Sequence, residues 1–209
     1  MESIYRNALI QIINFLDDLE ETQKTKYYLV RGIMVNIYSD FRITRDIDIV
    51  IDFHSSNIDV EEYVNELKKN SFFPYQDWNT TIQLAIESSI IQFLDKTETV
   101  RYDNHIIERF SSNKYKKIGP IALERRVKEK IFGTECWVVS KEDFILSKLV
   151  YGGYQDYTDA LGCWLRFSEM LNLDYLDKIS NNLGIIKELK LLISGIDDPD
   201  EYFEKLKKI

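Results

Sequence analysis

Residues 46–52 read Asp46-Ile47-Asp48-Ile49-Val50-Ile51-Asp52, and no other stretch of the chain constrains the architecture as strongly. Acidic and aliphatic side chains alternate with a period of two, the period of a β-strand, whose successive side chains point to opposite faces. Ile47, Ile49 and Ile51 then share a face that water disfavours. Asp46 and Asp48 stand together on the other, about 7 Å apart along the chain at two residues' rise. Carboxylates so placed reach the same divalent ions, because Mg²⁺ takes hard oxygen ligands and combines a few carboxylates with phosphate oxygens and water.

Working toward the N-terminus, the short aromatic and β-branched run Tyr27 to Val30 reads as a second strand. Gly32 opens an apolar-periodic helix from Ile33 to Tyr38. Before it, Ile4, Ala8, Ile12, Phe15 and Leu19 recur at helical spacing and predict one amphipathic helix. Toward the C-terminus, Asp59 to Lys69 reads as a helix covering the sheet. The stretch Phe72 to Glu87 is ambiguous between strand and helix, and Ile90 to Leu94 and Val100 to Asp103 read as strands. Arg125 to Phe132 and Cys136 to Val139 flank Gly133-Thr134 as a hairpin. From Lys141 the pattern turns helical, with Ser140 as an N-cap. The expectation is an α/β fold: a small mixed sheet with flanking helices over residues 1–140, with Asp46 and Asp48 on a central strand, followed by a C-terminal helical bundle over residues 141–209.

The bulk numbers agree with a folded chain. Of 209 residues, 44% are apolar and 30% charged, a balance that excludes disorder. Cys136 and Cys163 form no CxxC or Cys/His pattern, so neither a disulfide framework nor a zinc site is indicated. The absence of a long apolar run predicts cytoplasmic residence and no membrane contact. A net charge of −8 argues against coating nucleic acid through charge alone. The exception is residues 114–130, where Lys114, Lys116, Lys117, Arg125, Arg126, Lys128 and Lys130 gather. On a strand, Arg126, Lys128 and Lys130 share a face that suits an RNA backbone, although edge strands also carry lysines to block aggregation. His54 and His105 have no partner at ligand spacing and read as ordinary polar residues. Tyr151, Tyr154 and Tyr157 suit either stacking on a base or helix packing.

The block Leu29-Val30-Arg31-Gly32-Ile33 to Arg42-Ile43-Thr44-Arg45-Asp46-Ile47-Asp48-Ile49 resembles the signature of the nucleotidyltransferase superfamily: a strand, a glycine turn opening a helix, then a DxD strand. More narrowly it resembles the minimal nucleotidyltransferases related to the AbiEii toxin family, with Arg42, Thr44, Asp46 and Asp48 on their Arg-x-Thr-x-Asp-hydrophobic-Asp pattern. Trp137 to Leu149 looks like the strand and lysine-bearing helix of the same families, and Asp156 and Asp159 stand where they carry an acidic pair. The resemblance implies transfer of a nucleoside monophosphate from an NTP to an acceptor hydroxyl, with Mg²⁺, or Mn²⁺ in its place, held by Asp46 and Asp48. Arg31, Gly32, Thr44, Arg45, Lys148 and Asp159 would hold the nucleotide; for Asp156, helix capping is the preferred role. The implied acceptors are a tRNA end, a protein or a small molecule, and an antitoxin partner belongs to the toxin version of the reading.

Two departures leave alternatives open. A third carboxylate is expected on a neighbouring strand, and either Asp103 fills that place or Gln92 stands there instead. Where such families carry Gly-Gly or Gly-Ser, this chain has Arg31-Gly32, so Arg31 either binds phosphate or fills the site. In the second case the chain is a catalytically degenerate binding module acting through a protein partner.

Overall fold

The computed structural model describes residues 2–39, 46–108 and 113–208. It opens with α1 (Glu2–Gln23), β1 (Lys26–Val30), α2 (Arg31–Tyr38) and β2 (Ile47–Asp52). Then come α3 (Val60–Lys69), β3 (Phe73–Pro74), α4 (Trp78–Ser88), β4 (Ile90–Leu94) and β5 (Arg101–Ile106). The hairpin follows α5 (Lys114–Glu124) and consists of β6 (Val127–Ile131) and β7 (Thr134–Val138). The chain ends in α6 (Lys141–Tyr151), α7 (Tyr154–Phe167), α8 (Leu173–Leu183), α9 (Ile186–Leu192) and α10 (Pro199–Leu206).

The α/β expectation holds: seven strands form one mixed sheet in the order β3-β4-β5-β2-β1-β7-β6. β2 is its middle strand. It runs antiparallel to β1 and parallel to β5, and β1 and β7 form the other parallel pair. The alternation in residues 46–52 does what its period requires. Ile47, Ile49 and Ile51 are fully buried and join Leu9, Ile12, Ile13 and Leu16 of α1 in the core, with Tyr27, Leu29 and Tyr102 of the adjoining strands. The opposite face carries Tyr28 and Val30 of β1 beside Val50 and Asp48, and next to those His105 and Asp103 of β5.

Several local devices set the elements that flank this face. Asp59 begins α3 with a capping box, accepting from the Glu62 amide while the Glu62 side chain takes the Asp59 amide. Ser140 caps α6 by accepting from the Asp143 amide, as its position before an acidic first turn leads one to expect. Gly152 and Gly153, with φ of 72° and 98°, join α6 to α7 in a turn that an L-residue adopts only at a cost; a Cβ on Gly152 would also stand 3.0 Å from the Tyr157 hydroxyl. That turn brings α7 back alongside α6. The hairpin turn falls on Phe132 and Gly133, both with positive φ, one residue earlier than the sequence suggests.

The ambiguous segment resolves into the two-residue β3 and the helix α4, and α5 is a helix that its sequence hid. Pro120 lies inside α5, and four of the six residues before it are lysine or glycine, which blurs the apolar period. Ile118, Ala122 and Leu123 are nevertheless buried and set it down on the sheet. Among the described residues, no helix is long and apolar enough to cross a membrane.

Candidate active site

Asp48 sits where β2 meets the start of α2. The first amides of a helix have no partner within it, and Asp48 supplies one: the Gly32 N–H donates to its Oδ2 at 3.0 Å. No side chain on Val30 caps α2, so this carboxylate from the neighbouring strand does that work. On its other side, His105 Nε2 lies 3.4 Å from Asp48 Oδ1. Burial alone presses the Asp48 pKa upward. The hydrogen bonds from His105 and the Gly32 amide, with the charges of His105 and Arg31, outweigh it and hold the group below the usual carboxylate value.

Asp103 stands beside Asp48, paired with it directly in the parallel register of β2 and β5. Gln92 lies one strand further out on β4, opposite Asp103, and its Nε2 donates to Asp103 Oδ1 at 3.0 Å. Of the two candidates, Asp103 is thus the one adjacent to Asp48, and Gln92 is its hydrogen-bond partner. Arg101, two residues earlier on β5, donates to Asp103 Oδ2 at 3.0 Å and reaches Asp46 Oδ1 at 3.7 Å. Burial works against the Arg101 charge, but Asp103 and Asp46 hold it more firmly protonated than usual. Asp46 itself is half exposed.

Facing Asp46 and Asp48 across a cleft of about 290 Å³ are Arg31, Gly32, Lys148, Tyr151 and Asp156. Lys148 is almost fully buried and forms ion pairs with Asp156 at 2.7 Å and Asp159 at 2.8 Å. Asp156 does not cap α7, whose N-cap is Gly153 without a side-chain bond; it spends its carboxylate on Lys148 instead. An ammonium has three donors, one more than these two carboxylates require, and Lys148 also lines the cleft. Arg31 is the unusual residue. Its φ is 43°, the left-handed region that costs an L-residue about 1–2 kcal/mol, and its guanidinium centre lies 4.5 Å from the centroid of the Tyr151 ring. Gly32, by contrast, keeps an ordinary φ and is buried in the first turn of α2.

Thr44 and Arg45, with Arg42, fall outside the described residues. Lys128 and Lys130 lie on β6, the edge strand, as one reading of the basic stretch had it. Arg126 is a correction to the shared face proposed for the three. It precedes β6 and turns inward, ion-paired to Glu20, donating to the Tyr27 carbonyl at 2.7 Å and stacked 4.2 Å over the Trp137 ring. Much of the remaining basic stretch is also engaged: Lys116 with Glu108, Lys128 with Glu135, and Arg125 with Glu142 and Asp143.

Arg101 carries no role in the sequence reading, and His105 is a correction: read as an ordinary polar residue, it lies against Asp48. The signal was present, because they flank Asp103 at i−2 and i+2 and a strand puts all three on one face. Ending the strand at Asp103 concealed it; β5 continues to Ile106.

The donor set suits a divalent ion in one particular way. Among the described residues, no three His, Cys, Asp or Glu side chains converge tightly enough to hold an ion unaided. Mg²⁺ needs no such cage, since one or two carboxylates serve when phosphate oxygens complete its shell. Asp46 and Asp48 meet that requirement, with Arg101 already lying as a cation between Asp46 and Asp103.

No family model matches the sequence, and no curated protein matches it. Among solved structures, the chain is similar to a lincosamide antibiotic adenylyltransferase with lincomycin bound, at 18% identity over 73% of this chain and 94% of that one, with a TM-score of 0.44. It is also similar to an antigenic nucleotidyltransferase-like protein from Paracoccidioides brasiliensis, at 14% identity over 87% and 93% of the two chains, with a TM-score of 0.43.

Proposed function

We propose that this chain is a Mg²⁺-dependent nucleotidyltransferase that moves a nucleoside monophosphate from an NTP to an acceptor hydroxyl and releases pyrophosphate. The observation that carries the reading is the position of Asp48. It accepts from the Gly32 amide in the first turn of α2, stands in register beside Asp103, and faces Lys148 and Arg31 across a cleft of triphosphate size.

The charges of that cleft bear on the metal. Arg31 and Lys148 are its two cations, against the three carboxylates Asp46, Asp48 and Asp156. A triphosphate entering alone would meet net repulsion, so NTP and divalent cation should bind together or hardly at all. When bound, the ion would supply charge neutralisation at the phosphates and lower the pKa of an attacking hydroxyl. Asp46 and Asp48 would hold it. Gly32 places the helix start against the phosphates, and the third N–H of Lys148 donates to them, kept in place by Asp156 and Asp159. Arg31 adds a second charge at the same end. Asp103 orients the acceptor hydroxyl or accepts its proton once Arg101 yields its hold.

The test is direct. Titration calorimetry with each NTP should show binding in the presence of Mg²⁺ and negligible binding in EDTA, and incubation with a hydroxyl acceptor should release pyrophosphate. A chain that binds NTP equally with and without the ion would contradict the reading.

One observation favours a second reading. Asp103 is already satisfied by Gln92 and Arg101, as a residue in a retired site would be, which suits a nucleotidyltransferase fold kept as a binding module. Mg²⁺-dependent NTP binding without pyrophosphate release from any hydroxyl acceptor would favour it.

A further inference from the structure

A second cavity, of about 190 Å³, opens beside the cleft on the same face of the sheet. Its floor is Tyr28, Val50 and His105, three residues side by side on β1, β2 and β5. Its roof is α5, fastened over the face by the Tyr28 hydroxyl donating to the Gly119 carbonyl at 3.1 Å. Ser147 of α6 forms part of the wall, and Arg31 and Tyr151 line both this cavity and the cleft, so the two spaces meet at their stacked pair.

The two spaces differ in chemistry as the two ends of a nucleotide differ. The cleft is bounded mostly by charged groups; the cavity, although Arg31, His105, Glu108 and Lys116 also line it, is walled mainly by aliphatic and aromatic carbon with several hydroxyls. An apolar cavity of about 150 Å³ holds a benzene ring, so this one has room for a single small heterocycle, and it is too confined for a nucleic-acid strand or a protein loop. Heterocyclic bases present a π-face to rings such as Tyr151 and polar edges to hydroxyls. Resting on the reading of the cleft as the triphosphate site, we propose that this cavity holds the base of the bound NTP, with Arg31 at the joint between base and phosphates.

Replacing Ser147 by Met puts a longer, helix-compatible side chain into the cavity and changes no residue assigned to the phosphates or the ion. The probes are the four common NTPs and inorganic tripolyphosphate, each titrated with Mg²⁺ into the wild type and Ser147→Met, with melting curves of both. Tripolyphosphate should bind the two proteins alike. At least one NTP should bind the wild type about tenfold more tightly than tripolyphosphate, and Ser147→Met should erase that advantage. A folded variant that keeps the full NTP advantage overturns the base site and leaves the proposed function standing; a wild type that binds neither NTP nor tripolyphosphate with Mg²⁺ overturns both. A measurement on the wild type alone guards against a variant that fails to fold. The emission of 1,N⁶-ethenoadenosine triphosphate should become shielded from acrylamide on binding with Mg²⁺, whereas a bound analogue that stays fully quenchable would show the base outside the cavity.

Discussion

Asp48 and Asp103 are the same residue type, adjacent in one sheet, yet their surroundings are opposite. Asp48 is held by a neutral amide and by His105, with Arg31 acting on it through its charge. Asp103 is held by the Arg101 guanidinium and the Gln92 amide, both by direct hydrogen bonds. A carboxylate whose direct donors are an amide and an imidazole keeps more of its charge available to an incoming cation than one hydrogen-bonded to a guanidinium. The row of acids is thus open at one end and closed at the other.

The largest effect should come from removing the open end. Asp48→Asn is expected to lower Mg²⁺-dependent NTP affinity about a hundredfold or more, since the ion contributes several kcal/mol. Asp103→Asn should leave it within about threefold, and calorimetry on both variants compares them directly. Equal losses would erase the distinction between the two ends.

Next in size is the cation that faces Asp48. Lys148→Met removes the ammonium that Asp156 and the fully buried Asp159 share, and stability should fall by about 3 kcal/mol in urea titration. A loss below about 1 kcal/mol would mean that water or another donor replaces the ammonium.

Arg101→Ala should reopen the closed end. Freed of the guanidinium, Asp46 and Asp103 are expected to bind Mn²⁺ about tenfold more tightly, measured by electron paramagnetic resonance without nucleotide; the figure is kept small because Arg101 is a third exposed and solvent screens the pair. Weaker Mn²⁺ binding would show Arg101 supporting the site and not closing it.

Arg31→Gly is the smallest. Relief of a positive φ and loss of the Tyr151 stack are each worth about 1 kcal/mol in opposite directions, so stability should change little. NTP affinity should fall a few-fold with the lost charge. Tighter NTP binding by the glycine variant would identify Arg31 as a plug.

The open end was legible in the sequence and the closed end was not, for a physical reason. Asp46 and Asp48 announce themselves by alternation within one strand, and Gly32 by its place between strand and helix; both are local patterns. The register that sets Asp103 beside Asp48 is a property of two strands together, so the relative places of Asp103 and Gln92 cannot be read from either strand alone. Arg126 shows the same limit. Its partner Glu20 lies at the far end of the chain, and nothing near residue 126 distinguishes an inward guanidinium from an outward one. The mixed sheet and most helices followed from periodicity, while α5 was obscured by its lysines and Pro120.

The parallel pairing of β2 with β5 also says something about how the protein comes to exist. The Gly32–Asp48 contact spans 16 residues and the Gln92–Asp103 contact 11, so each half of the acid row can form from a short piece of chain. Joining the halves requires closing the long connection through α3, β3, α4 and β4, a slow step for any chain. That closure brings Asp46, Asp48 and Asp103 together before any ion or substrate is present. Arg101 arrives on the same strand as Asp103 and reaches across the seam to Asp46, so like charges do not meet there uncompensated. In refolding experiments at low salt, Arg101→Ala is therefore expected to slow folding more than it speeds unfolding. The guanidinium that closes one end of the site would then be, during folding, the counter-ion that lets the two halves meet.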